Sequence, residues 1–310
     1  MRSMLYAFDG TWNDDSDPAT WTNVYRLATC AHREHVRYYA GVGSWRDAQG
    51  SLGRRLTGGA FAKGLGRIVN QAVADWRRDR AHGVAIIDVI GFSRGAIAAL
   101  TFANRIREQE DRDDVKAANR CRLRFLGCFD TVDAIGLPDV DWDPTYAKAP
   151  PRRDGFAHAV HAVALHETRA TFQVVDVPGM DAVVGFFGGH SDVGGGLAGR
   201  GLSDQSLMWM YDQAAAAGRI WDRDLTHLDP RPDPTSTPYR IRGTYAHQPR
   251  RWPRGMTLFP YPGSDATLAG LRAGRFPHFP LLKRVTDHRP LGRGKQPVPQ
   301  QSGERWIFVE

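Results

Sequence analysis

The sequence predicts an α/β protein with a mostly parallel, doubly wound sheet and a loop-rich C-terminal segment. Three observations predict it. Short apolar, β-branched runs alternate with helix-forming runs along residues 1–230, the pattern of strands joined by crossover helices. One of these units, Val84–Ile90, then Gly91-Phe92-Ser93-Arg94-Gly95, then Ala96–Ala103, sets G-x-S-x-G between a strand and a helix. That is the context of a nucleophile elbow and gives the sheet an α/β-hydrolase-like character. After residue 230 the composition changes: 12 of the 19 prolines lie in residues 231–310.

The elements follow in order. Leu5–Phe8 is a first strand, ending in Asp9-Gly10-Thr11-Trp12-Asn13, and Val36–Ala40 is a second, followed by Gly41-Val42-Gly43. A glycine-rich stretch leads into a helix over Leu65–Arg80, where Ile68, Ala72, Val73 and Trp76 repeat at helical spacing. The elbow strand and its helix come next, and the charged run Arg105–Asp114 reads as that helix's solvated end. Leu123–Phe129 is a strand that delivers Asp130-Thr131-Val132-Asp133 to its end. A proline-rich loop covers 138–151, and Phe156–Leu165 reads as a helix. Phe172–Val177 and Val183–Phe187 read as strands, the second leading into Gly188-Gly189-His190-Ser191-Asp192 and three further glycines, Gly194–Gly196. A last helix spans about Ser203–Ala217, with Ser203 or Asp204 as N-cap.

Bulk properties bound the function. With 310 residues, 42% apolar and 24% charged, the chain can build one large α/β domain plus an appendage. The division falls at residue 230: a catalytic domain over 1–230 and a basic, Pro/Arg-rich segment over 231–310. The segment holds 14 Lys/Arg against 5 Asp/Glu, so the net charge of +7 is entirely C-terminal. No nucleic-acid-binding module accompanies that charge, which excludes nucleic acid as a partner. An anionic membrane surface or an acidic partner fits it better. The N-terminus turns polar too early for a signal peptide, and no apolar run approaches the ~20 residues of a membrane span. Synthesis in the cytoplasm is the expectation. Of the three cysteines, Cys121 and Cys128 flank a strand and read as buried apolar residues.

A serine hydroxyl becomes nucleophilic when a base takes its proton and an acid orients the base. The chain order Ser, Asp, His selects Ser93 as nucleophile, Asp130 as acid and His190 as base, each at a strand's C-terminal end. Asp133 and Asp192 are the alternative acids, and Asp192 could instead bond the backbone of its own turn. His158, His161 and His166 sit on or near one predicted helix and suit ordinary surface or partly buried roles. No third ligand accompanies His158 and His161, so no metal site is assigned. The oxyanion contacts fall to Gly10, Thr11 and Arg94, and Asp9 can cap N–H groups in the same turn. The chemistry needs no metal or organic cofactor.

Five motifs recur together: Phe8-Asp9-Gly10-Thr11-Trp12-Asn13, Gly41-Val42-Gly43, Gly91-Phe92-Ser93-Arg94-Gly95-Ala96, Phe129-Asp130-Thr131-Val132 and His190-Ser191-Asp192-Val193-Gly194-Gly195-Gly196. In this order, over about residues 4–217, they resemble the α/β-hydrolase family called domain of unknown function 2235. That family includes the catalytic domains of type VI secretion phospholipase effectors. The resemblance implies a Ser-Asp-His triad at Ser93, Asp130 and His190 and a phospholipase A-type esterase activity. It also implies delivery by a secretion system, with an immunity or adaptor protein as partner. The alternatives are an esterase for small non-lipid esters and a catalytically silent binding protein on the same fold. Residues 231–310 are expected to pack on the core. Their arginines, Arg250, Arg251 and Arg254 foremost, either present a positive surface beside Trp252, Phe259 and Phe276, or satisfy acidic groups of the core.

Overall fold

The computed structural model describes residues 1–44, 58–132, 155–233, 236, 238, 250, 252–253 and 255–259, and the backbone of 282–285 and 305–308. Asp133, Arg251, Arg254, Phe276 and the 138–151 loop lie outside the described residues.

Burial on both faces marks the central strands of the sheet. In β1 (Arg2–Phe8), Met4, Tyr6 and Phe8 face one apolar cluster while Leu5 and Ala7 face another. Seven strands form the sheet: β2 (Val36–Tyr39), β1, β3 (Val84–Phe92), β4 (Arg122–Phe129), β5 (His158–Ala164), β6 (Ala182–Phe186) and β7 (Thr257–Leu258), in that spatial order. Every pairing is parallel. Helices α2 (Gly58–Ala81) and α3 (Arg94–Arg112) cover one face. Helices α1 (Asn23–Thr29), α4 (His190–Gly194) and α5 (Gly201–Ala216) cover the other. This is a doubly wound α/β-hydrolase fold. The chain moves from β1 out to β2 and returns past β1 to β3. The winding therefore reverses between β1 and β3, and ligands in open parallel sheets bind at the strand ends beside such a reversal.

Several expected elements differ. Residues 158–164 form strand β5, not a helix. A strand buried on both faces is apolar without alternation, and its periodicity does not separate it from a buried helix. Residues 172–177 make no ladder strand. A 3₁₀ turn covers Ala170–Phe172, and a single antiparallel bridge joins Val174 to Val132. The N-cap of α5 is Arg200, with Ser203 and Asp204 inside the helix. Helix α1 was not expected. Its cap is Thr22, whose side chain accepts the Tyr25 N–H. Cys30, Cys121 and Cys128 are buried free thiols.

Two buried polar ties fix the layers around the sheet. Asn23 of α1 donates through Nδ2 to Val193 O at 3.0 Å, Ser203 O at 2.8 Å and Ser206 Oγ at 3.1 Å, which binds α1 to α4 and α5. Asp88 of β3 accepts two bonds from Arg124, at 2.8 and 2.6 Å, and one from Arg219 at 2.6 Å. All three of these charged residues are buried. Removing one member of such a cluster leaves the others uncompensated. Asp88→Asn should therefore destabilise the fold by about 3–5 kcal/mol. Urea unfolding should show a lower midpoint at an unchanged slope.

Candidate active site

The residues singled out in the sequence collect at the C-terminal edge of the sheet. Ser93 follows β3, Asp130 follows β4 and His190 opens α4 after β6. Ser93 has φ 59° and ψ −128°, and its side chain does not cap α3. Asp130 also has positive φ, 37°. Non-glycine residues take such angles only where the surroundings dictate them. Here the ladder does so: Ser93 N donates to Phe129 O at 2.9 Å, and Asp130 N to Ala162 O at 2.7 Å.

The flanking glycines are required by contact. A Cβ on Gly95 would lie 2.3 Å from Asp9 O and 2.4 Å from Phe8 O, and one on Gly91 would lie 2.6 Å from Ala96 Cα. The elbow thus packs directly on the end of β1. Gly10 approaches as closely, since a Cβ there would meet the Phe92 ring at 2.8 Å.

Asp130 and His190 form a short bond, Oδ2 to Nδ1 at 2.6 Å, with both residues buried. A bond from Nδ1 to a carboxylate places the proton on Nδ1 and the lone pair on Nε2. The imidazole lies against Phe92, the neighbour of Ser93, with ring centroids 4.6 Å apart, and Phe172 meets it edge-on at 4.9 Å. Burial pushes the His190 pKa down and Asp130 pulls it up, with a net lowering. Burial alone would raise the Asp130 pKa, but the charge of Arg250 and the bonds from His190 and Arg250 hold it far below the carboxylate range.

The alternative acid Asp192 accepts the Gly189 N–H through Oδ2 at 2.8 Å, as an acid capping its own turn. His190 stands at the start of a five-residue helix rather than in a loop. His161 and His166 are buried rather than superficial. His161 Nε2 accepts the Thr131 N–H at 3.1 Å, and His166 Nδ1 accepts the Gly188 N–H at 2.7 Å. Burial brings them down to about 4 and about 3, so both are neutral acceptors for turns beside the site. No group of His, Cys, Asp and Glu suited to a metal occurs among the described residues.

At the end of β1 the Gly10 N–H is engaged by Asp9 Oδ1 at 2.7 Å. Gly10 therefore acts by its lack of a side chain, and Asp9 caps its turn. Asp9 also accepts from Thr22 Oγ1 and Tyr38 Oη, both at 2.7 Å. Burial outweighs these bonds and pushes its pKa up to about 6. Arg94 reaches Thr11 Oγ1 at 3.5 Å. Beside them a pocket is lined by Thr11, Arg94, Tyr39, Val42, Leu65 and Ile68, among others.

Two site residues escaped the sequence reading. Glu167 accepts the His190 N–H at 3.3 Å and pairs with Arg169 at 2.7 Å. Arg169 in turn stacks on Phe172 at 3.4 Å. Arg250, for which a positive surface and a bond to acidic core groups were the alternatives, follows the second. It is buried, with Nη1 2.6 Å from Asp130 Oδ1. Trp252 and Phe259 also pack against core clusters. The ties from Glu167 to His190 and from Arg250 to Asp130 cross 23 and 120 residues, so nothing local marks them. Gly95→Ala should force β1 and the elbow apart. A loss of at least tenfold in hydrolytic rate and about 1–3 kcal/mol in stability is expected, measured by ester turnover and thermal unfolding.

Comparison with known proteins gives the family. No curated protein matches the chain. An uncharacterized protein from Pseudomonas aeruginosa, known from its crystal structure, is 21% identical with a TM-score of 0.51, over 74% of this chain and 48% of that one. The Tle1 effector in complex with the VgrG spike of the type VI secretion system is 20% identical with a TM-score of 0.42, over 63% of this chain and 52% of that one. A putative YdeN-like hydrolase from Pectobacterium atrosepticum is 14% identical with a TM-score of 0.39, over 70% of this chain and 92% of that one. This chain thus spans about half the length of the first two. The sequence itself matches the family described as type VI secretion system phospholipase effector Tle1-like, catalytic domain, over residues 2–109 and 100–213. With that match covering most of the chain, the protein belongs to the Tle1-like phospholipase effector catalytic-domain family.

Proposed function

We propose that the chain is a serine esterase that cleaves an acyl ester of a phospholipid, with Ser93, His190 and Asp130 as its triad. The observation that carries this reading is the 2.6 Å bond between His190 Nδ1 and Asp130 Oδ2, set beside a serine held in a strained elbow. Membership in a family of phospholipase effector catalytic domains supports the lipid substrate. Delivery by a type VI secretion system, with an immunity protein as partner, belongs to the same proposal.

In this reading the steps are those of a serine esterase. Ser93 Oγ attacks the ester carbonyl as its proton passes to His190 Nε2. Asp130 stabilises the imidazolium and stays ionised. The oxyanion meets the N–H groups of Arg94 and Thr11, with the N-terminal end of α3 adding its positive dipole. The ester C–O bond breaks, and His190 returns the proton to the leaving alcohol. Water, deprotonated by His190, then releases the fatty acid.

A fluorophosphonate probe should label the wild-type protein at Ser93, and Ser93→Ala should lose both label and turnover while remaining folded. Phospholipid hydrolysis by folded Ser93→Ala at the wild-type rate would reject the mechanism. Fatty acid and lysolipid should be the products found by mass analysis of a lipid extract. Asp130→Asn should lower kcat by about 10⁴ through the wrong imidazole tautomer. Asp192→Asn, at a side chain that bonds its own turn, should cost far less. The reverse order in the folded variants would reassign the acid.

A further inference from the structure

The Asp130 carboxylate is held from outside the catalytic elements. Arg250 Nη1 and Nη2 donate to its Oδ1 and Oδ2 at 2.6 and 2.8 Å. The same two nitrogens donate to Ala164 O at 2.9 Å and Phe172 O at 2.6 Å. The guanidinium is fully buried. One side chain therefore spans the acid, the end of β5 and the Phe172 turn that packs on His190. A planar fork can hold both carboxylate oxygens at once, whereas an ammonium cannot reproduce that geometry.

The charges around His190 show what the fork does. Two carboxylates face the imidazole from other elements, Asp130 after β4 and Glu167 after β5. Each has its own arginine, Arg250 and Arg169. Asp192, on the same helix as His190, is turned to the Gly189 N–H. His161, beyond Asp130, lies at about 4 and is neutral across the working range. Phe92 and Phe172 are uncharged. A lone buried carboxylate would draw a proton onto the neighbouring imidazole and take away the base. Arg250 offsets that pull without displacing the bond from His190.

We infer that Arg250 is a positioning residue of the catalytic site: it orients Asp130 toward His190 and offsets its charge, so the segment after residue 230 completes the triad. This inference rests on the serine-esterase reading. Arg250 touches no substrate and acts through Asp130.

The test measures kcat, KM and the pH dependence of kcat/KM with a soluble ester, for the full chain and two variants. Arg250→Gln removes the charge. Its acid limb should move up by about one pH unit, the usual effect of one close charge. Arg250→Lys keeps the charge and loses the fork. Its acid limb should stay in place, while kcat falls about tenfold at unchanged KM, a cost of about 1.4 kcal/mol in the transition state. An unmoved acid limb in folded Arg250→Gln overturns the inference. If Arg250→Gln does not fold, Arg250→Lys decides: a lower kcat supports the inference, and wild-type kcat overturns it. Fluorophosphonate labelling of the wild type keeps the two readings apart. Without a label at Ser93 the esterase reading fails, whatever Arg250 does. With the label present, a null result in the arginine variants rejects only the inference.

Discussion

A carboxylate with no access to water must have every lone pair engaged, and Asp130 meets that requirement in a way that organises the site. Its Oδ1 accepts from Ala164 N and Arg250, and its Oδ2 from His190 and Arg250. An ionised carboxylate in such a place is tolerable only when paired and fully hydrogen-bonded. These four bonds come from the sheet, from the imidazole and from a segment more than a hundred residues downstream. The same acid thus anchors the catalytic edge and the C-terminal chain at one point. The Glu167–Arg169 pair adds a second neutralised carboxylate, bonded to the His190 backbone N–H. The imidazole's protonation answers to both carboxylates.

The elbow shows how strain is held in place. Ser93 and Asp130 both sit at positive φ, at a cost of order 1–3 kcal/mol each. Parallel ladders on both sides resist relaxation, since Ser93 N and Asp130 N donate to neighbouring strands. Gly91 and Gly95 allow helix and strand to approach until no side chain would fit. The cost of presenting the hydroxyl is spread over the sheet.

Much of the fold was legible because local signals agreed. The strand, elbow and helix around Ser93 had matching periodicity, glycine placement and helix propensity. The meeting of Asp130 and His190 at one edge could be read because strand ends in parallel sheets face that edge. The misread segment, residues 158–164, is a strand whose two faces are both buried, and no alternation marks it. The partners of Arg250, Glu167 and Arg169 were illegible for another reason. A buried ion pair has no sequence period, and the arginines of a basic segment look alike until one is seen inside. The C-terminal charge excess suggested either a surface or partners for acidic core groups, and Arg250 takes the second course, buried against Asp130.

Ribosomal synthesis gives the long separation between Asp130 and Arg250 a temporal meaning. The acid leaves the ribosome 120 residues before the guanidinium that balances it. At about 10 residues per second that interval is of order 10 s. Until then the sheet edge carries an unbalanced carboxylate, whose burial is disfavoured by several kcal/mol. The nascent chain can assemble β1 to β6 and still lack a settled acid. On the proposed serine-esterase reading, competence to hydrolyse arrives late in translation, after the strands and the elbow have formed.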